Sequence, residues 1–101
     1  MPYTNEQLAK LHEEIGKGRE VAALVNNETF KRVLTDSLHG IQNAWLREHD
    51  RDQREALWQQ GAGLQAFVDN LQSMVNTGRM AEQQLEFEKR LQGEHDEQAR
   101  S

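Results

Sequence analysis

An all-α chain is predicted: an N-terminal helix, then an antiparallel helical hairpin whose second helix runs on as a protruding C-terminal helix. Three observations predict it. Apolar residues recur at steps of three and four, the spacing of one helix face, rather than alternating as in a strand. The only proline is Pro2, so no later position loses a backbone donor to a pyrrolidine ring. Glu, Gln, Leu, Arg and Ala are abundant, and all are good helix formers. Apolar residues make up 36% of the chain, which leaves narrow stripes on long helices. Such stripes bury little within one chain. They favour helices that complete their burial against another copy or another protein.

The first helix is placed over 4–25. Thr4 and Gln7 form a capping-box pair, in which each side chain satisfies the other's backbone donor. Tyr3 before the cap and Leu8 after it suit a hydrophobic staple. Leu8, Leu11, Ile15, Ala22 and Val25 carry the apolar face, while Gly16 and Gly18 weaken the middle by about 1 kcal/mol each relative to alanine and invite a kink. At Asn26-Asn27 the chain stops and restarts: Asn26 suits a left-handed helix end and Asn27 an N-cap.

The second helix, 28–49, bears Phe30, Leu34, Leu38, Ile41 and Trp45 on one side. The third, 51–76, bears Leu57, Gly61, Leu64, Val68, Leu71 and Val75, a heptad-like seam. Folding the chain near Arg51 pairs the two stripes. Helices rise equally per residue, so antiparallel partners must keep a constant sum of residue numbers. Trp45 with Leu57, Ile41 with Gly61, Leu38 with Leu64 and Leu34 with Val68 meet that condition, and Phe30 with Leu71 misses by one. Gly40, Gly61 and Gly63 leave room beside Ile41. The charged stretch His49-Asp50-Arg51-Asp52 then becomes the solvated tip, with Asp50 as N-cap and Gln53 as its capping-box partner. A single unbroken helix through the tip is the competing reading.

Gly78 marks an end or an interruption, and the helix continues or restarts over 79–92. Past it, Met80, Phe87 and Leu91 form one line, with Ala81 and Leu85 beside it. These residues overrun the hairpin and lack a partner in the chain unless the first helix folds over them. Met80, Leu85, Phe87 and Leu91, together with Trp58, are therefore the candidate contact residues for a homo-oligomer or a partner protein. Residues 93–101 are polar and expected to fray. The whole chain, 1–101, reads as one small helical domain.

Composition narrows the chemistry. Lys plus Arg number 12 and Asp plus Glu 17, a net charge of −5, which gives no general attraction to nucleic acid or anionic membrane. No cysteine means no disulfide, thiolate zinc site or cysteine nucleophile. Val21–Val25 is the longest apolar run, far too short to span a bilayer, and the N-terminus lacks a secretory pattern. His12, His39, His49 and His95 do not follow zinc-ligand spacing, so no metal or cofactor is expected. The carboxylates Glu13, Glu14, Asp36 and Glu48 read as solvated helix charges, and Ser37, Ser73 and Ser101 lack a nucleophile's local motif. No catalytic residue is assigned, and the chain is read as non-enzymatic. The "GKGRE" stretch lacks the strand and the GK[ST] ending of a phosphate loop, although Lys17 and Arg19 remain available to an anion.

Asn27-x-x-Phe30, Leu34, Leu38 and Trp45, "REALW" at 54–58, Leu64, Leu71, Val75 and "TGRMA" at 77–81 form a pattern over residues 26–85. In that pattern the chain resembles a family of small helical proteins encoded by tailed bacteriophages, often near head and DNA-packaging genes. That family often has a longer, proline-containing tip, which "REHDRDQ" lacks. The resemblance carries no catalytic residue. It implies a phage structural or assembly protein in the host cytoplasm or the virion, with another phage structural protein as partner. The alternative is a regulatory or anti-defence protein that engages a host protein or sequesters a small anionic ligand between subunits. In that case Lys17, Arg19, Arg51 and Arg54 would contact the anion.

Overall fold

A computed structural model describes the backbone of residues 3–100 and the side chains of residues 3–93. Its elements are α1 (Asn5–Val25), α2 (Glu28–Arg47) and α3 (Arg51–Arg100), with no strand among the described residues. No helix among them is long and apolar enough to cross a membrane. Two compact units divide the chain. One joins the residues up to Ala22 with those from Ser73 onward, and the other is Ala23–Gln72. Helix α3 contributes residues to both units.

The first unit packs α1 antiparallel on the C-terminal half of α3. Its cap forms as expected: the Thr4 N–H donates to Gln7 Oε1 at 2.8 Å, and the Gln7 N–H donates to Thr4 Oγ1 at 3.1 Å. Leu11, Ile15 and Ala81 make a buried cluster, with Tyr3 and Leu85 partly buried against it. The Tyr3 N–H donates to the buried carboxylate of Glu88 at 3.3 Å, and Arg19 reaches Glu82 at 2.8 Å. The overrunning length of α3 therefore has a partner in its own chain. Leu85, expected to lack one, is half-buried beneath α1.

The glycines of this unit are not breakers. No described residue has a positive φ, so Asn26 does not take the left-handed conformation expected of it. The end of α1 is closed instead by the Asn27 N–H, which donates to the Leu24 carbonyl at 3.1 Å. Helix α1 runs unbroken through Gly16 and Gly18, and α3 runs unbroken through Gly78. Gly18 and Gly78 face each other. A Cβ on either would lie 2.8 Å from the other's Cα. Their missing side chains let two helix backbones touch, a use of glycine distinct from ending a helix.

Helix α3 also continues to Arg100, past the point where fraying was expected. Ser101 lies outside the described residues.

The second unit is the hairpin. Asn27 is the N-cap of α2 as expected, its Oδ1 accepting from the Phe30 N–H at 2.9 Å. Helix α2 stops at Arg47, two residues before the expected end, because Glu48 turns extended (φ −79°, ψ 129°). The tip is closed by side chains. Glu48 Oε1 accepts from the N–H groups of His49 (3.1 Å) and Asp50 (3.0 Å). Asp50 Oδ1 accepts from those of Asp52 (2.9 Å) and Gln53 (3.1 Å), capping α3. The chain doubles back, and a Cβ on Gly61 would sit 3.5 Å from Ile41 Cγ2, the pairing the constant-sum register requires. Phe30, Leu34, Leu38, Ile41 and Trp45 are all half-buried, and no residue of α2 is fully buried.

Candidate functional site

Successive residues of a helix turn by about 100°, so the side of α3 opposite its α1 contact is set by position. Val75, Gly78, Ala81, Leu85 and Glu88 face α1. Met80, Phe87 and Leu91, at steps of seven and four, stand roughly opposite. They are 59%, 58% and 45% exposed. Of the five contact residues expected from sequence, these three form one stripe within the first unit. Leu85 is removed from that set by burial. Trp58 is 60% exposed but belongs to the hairpin.

At the hairpin tip the residues converge differently. The Arg54 guanidinium lies 4.1 Å from the centroid of the Trp45 ring and donates to the Glu48 carbonyl at 3.1 Å. It thus binds the last turn of α2 to the first of α3 by cation–π attraction and a charge-assisted hydrogen bond. Trp45, His49, Arg51, Arg54, Glu55 and Trp58 line an open depression of ≈ 470 Å³ there. Farther along the same unit, Leu38, Ile41, Trp45, Leu46, Trp58 and Ala62 line a larger, mostly apolar groove of ≈ 660 Å³.

The expected anion contacts are differently placed. Lys17 pairs with Glu13 at 3.0 Å along α1, and Arg19 pairs with Glu82. Arg54 is held against Trp45, and Arg51 lines the same depression at the tip. Lys17 and Arg19 lie in one unit and Arg51 and Arg54 in the other, and within a unit only the latter two share a site. Among the described residues, no group of three or more His, Asp or Glu side chains is placed to hold a metal. The side chain of His95 lies outside those described.

Sequence reasoning missed the Gly18–Gly78 contact and the burial around it. The signal was present. Leu11 with Leu85, Ile15 with Ala81 and Gly18 with Gly78 keep a constant sum of their own, by the same rule that pairs the hairpin at a different sum.

No protein-family model matches this chain, and no curated protein or solved structure is significantly similar to it.

Proposed function

We propose that this chain is a non-enzymatic structural or assembly protein that works by helix-mediated protein contacts. The observation that carries this reading is the Met80, Phe87 and Leu91 stripe: three large apolar side chains in line, exposed, on a helix whose other side is already occupied. Stripes with this spacing supply the anchors of helix-in-groove recognition. The resemblance in "REALW" and "TGRMA" supplies the setting, a tailed phage, with a head or packaging component as the partner. The anion-sequestering alternative draws less support, since Lys17, Arg19 and Arg54 are already engaged within the chain.

The test is mass spectrometry of purified virions and head-assembly intermediates from the encoding phage. The expected result is that the wild-type chain co-fractionates with one of them. A Phe87→Glu, Leu91→Glu variant should keep its far-ultraviolet helical signal and leave those fractions. Absence of the wild-type chain from particles and intermediates alike overturns the reading.

A further inference from the structure

The stripe of Met80, Phe87 and Leu91 has a charge pattern unlike that of the chain as a whole. The chain carries a net charge of −5, yet the side chains that stand among the three apolar ones, Thr77, Gln83 and Gln84, are exposed and uncharged. Two exposed cations border the stripe. Arg79 follows Met80 by one step backward along the chain, and Arg90 lies one turn from Phe87 and next to Leu91. At about 100° per residue, both arginines fall on the same border, about three turns apart. The opposite border holds Ala81 and Glu88, which are buried. Glu82 reaches Arg19 instead, and Glu86 lies farther round the helix than either arginine. Among the described residues, neither Arg79 nor Arg90 is ion-paired. Exposed Phe, Met and Arg without Lys, Asp or Glu is the composition that distinguishes a protein interface from ordinary surface.

We propose that this stripe receives an amphipathic helix of another protein, one whose apolar side is bordered by carboxylates. The proposal rests on the reading of the stripe as the contact surface and adds the charge of its partner. The partner's apolar side chains pack against Met80, Phe87 and Leu91. Its Asp or Glu side chains, about three turns apart, meet Arg79 and Arg90, whose planar guanidinium groups bind carboxylates by paired hydrogen bonds. Charge also argues against a second copy of this chain as the occupant. Seated antiparallel by two-fold symmetry, a second copy sets the arginine border against its own counterpart, and like charges placed face to face are costly. An acidic helix turns the same two arginines from a penalty into an attraction.

Fluorescence anisotropy with the full chain tests this. The probe is a labelled amphipathic peptide of about 20 residues, with leucines along one side and glutamates bordering them at the spacing of Arg79 and Arg90. Its counterpart has lysines in place of the glutamates. The wild-type chain should bind the glutamate peptide about tenfold more tightly than the lysine peptide at low salt, and the gap should narrow as salt is raised. An Arg79→Glu, Arg90→Glu double variant should reverse the preference with an unchanged helical signal, and Phe87→Glu should weaken both peptides. Equal affinity for the two peptides, a preference that survives the charge reversal, or no binding of either at hundreds of micromolar overturns the proposal. A dimer in light scattering that Phe87→Glu dissociates overturns it in favour of a second copy. Binding to phosphatidylglycerol vesicles that is lost in the double variant overturns it in favour of a membrane surface. A failed charge preference leaves the stripe itself as the contact. Persistence of the Phe87→Glu, Leu91→Glu variant in virion or assembly fractions overturns that reading and this proposal together, so the two failures are distinguishable.

Discussion

The two units use the same element, antiparallel helix on helix, and pack it in opposite ways. In the unit built from α1 and the C-terminal half of α3, two glycines let the backbones meet, and Val75 and Ala81 are 4% and 2% exposed. In the hairpin, Gly61 lies opposite Ile41 at ordinary van der Waals distance, and Phe30, Leu34, Leu38, Ile41 and Trp45 of α2 all stay half-exposed, while Leu71 of α3 is buried. Close approach lets two slim helices bury a small core with few large side chains. Where the helices stand apart on larger side chains, a two-layer structure leaves those side chains open on both flanks. The side of α3 that faces α1 is thus covered, whereas the α2 side chains of the hairpin seam are covered only in part.

The sharpest way to break this contrast is at the glycines. Gly18→Ala puts a Cβ against the Gly78 backbone, and no flexible side-chain tip is there to give way. It should destabilise the first unit by about 1–3 kcal/mol, the usual cost of forcing atoms into a packed contact. Amide hydrogen exchange of α1 should quicken while that of α2 does not. Gly16→Ala is the control. A Cβ there meets nothing within 4 Å, so the substitution should stabilise α1 by about 0.5–1 kcal/mol through helix propensity. If both substitutions act alike in thermal unfolding, the close crossing is not what holds α1 in place.

A smaller effect is expected at the hairpin. Asp50→Ala removes the acceptor for two N–H groups of α3 and should cost about 1 kcal/mol, read as faster exchange at the tip with α1 unaffected. The smallest belongs to Arg19→Ala. Its ion pair with Glu82 is short, but the Arg19 side chain is 74% exposed, and such pairs contribute about 0–1 kcal/mol. A melting temperature within the error of wild type is expected in high salt. A large drop there would mean that the pair, rather than the glycine contact, holds α1 on α3.

Much of the local structure was legible because it is written in short-range chemistry. Thr4 with Gln7, Asn27 with Phe30, and Asp50 with Gln53 each lie three residues apart; the first makes both bonds of its capping box and Asn27 caps as expected, whereas Asp50 caps Gln53 but gives its own N–H to Glu48 Oε1 rather than to the Gln53 side chain. The Ile41–Gly61 pairing was legible as well, since a turn of known position leaves antiparallel helices a single free register. The candidate site was legible in part. Met80, Phe87 and Leu91 keep their place on one exposed line, whereas Leu85, next to that line in sequence pattern, belongs to the covered side.

The sequence by itself determined three helices, the N-caps at Thr4, Asn27 and Asp50, a turn near Arg51 and the hairpin's pairing, because periodicity and side-chain-to-backbone hydrogen bonds act over a few residues. The end of α2 at Arg47 and the closure by Glu48 were decided by the structure. Only the tertiary structure decided that α1 covers the far half of α3, and that Gly18 and Gly78 join helices instead of ending them. A glycine has no side chain to declare its partner. Alone in a sequence it signals flexibility, and it becomes a contact only when another backbone is brought against it from sixty residues away.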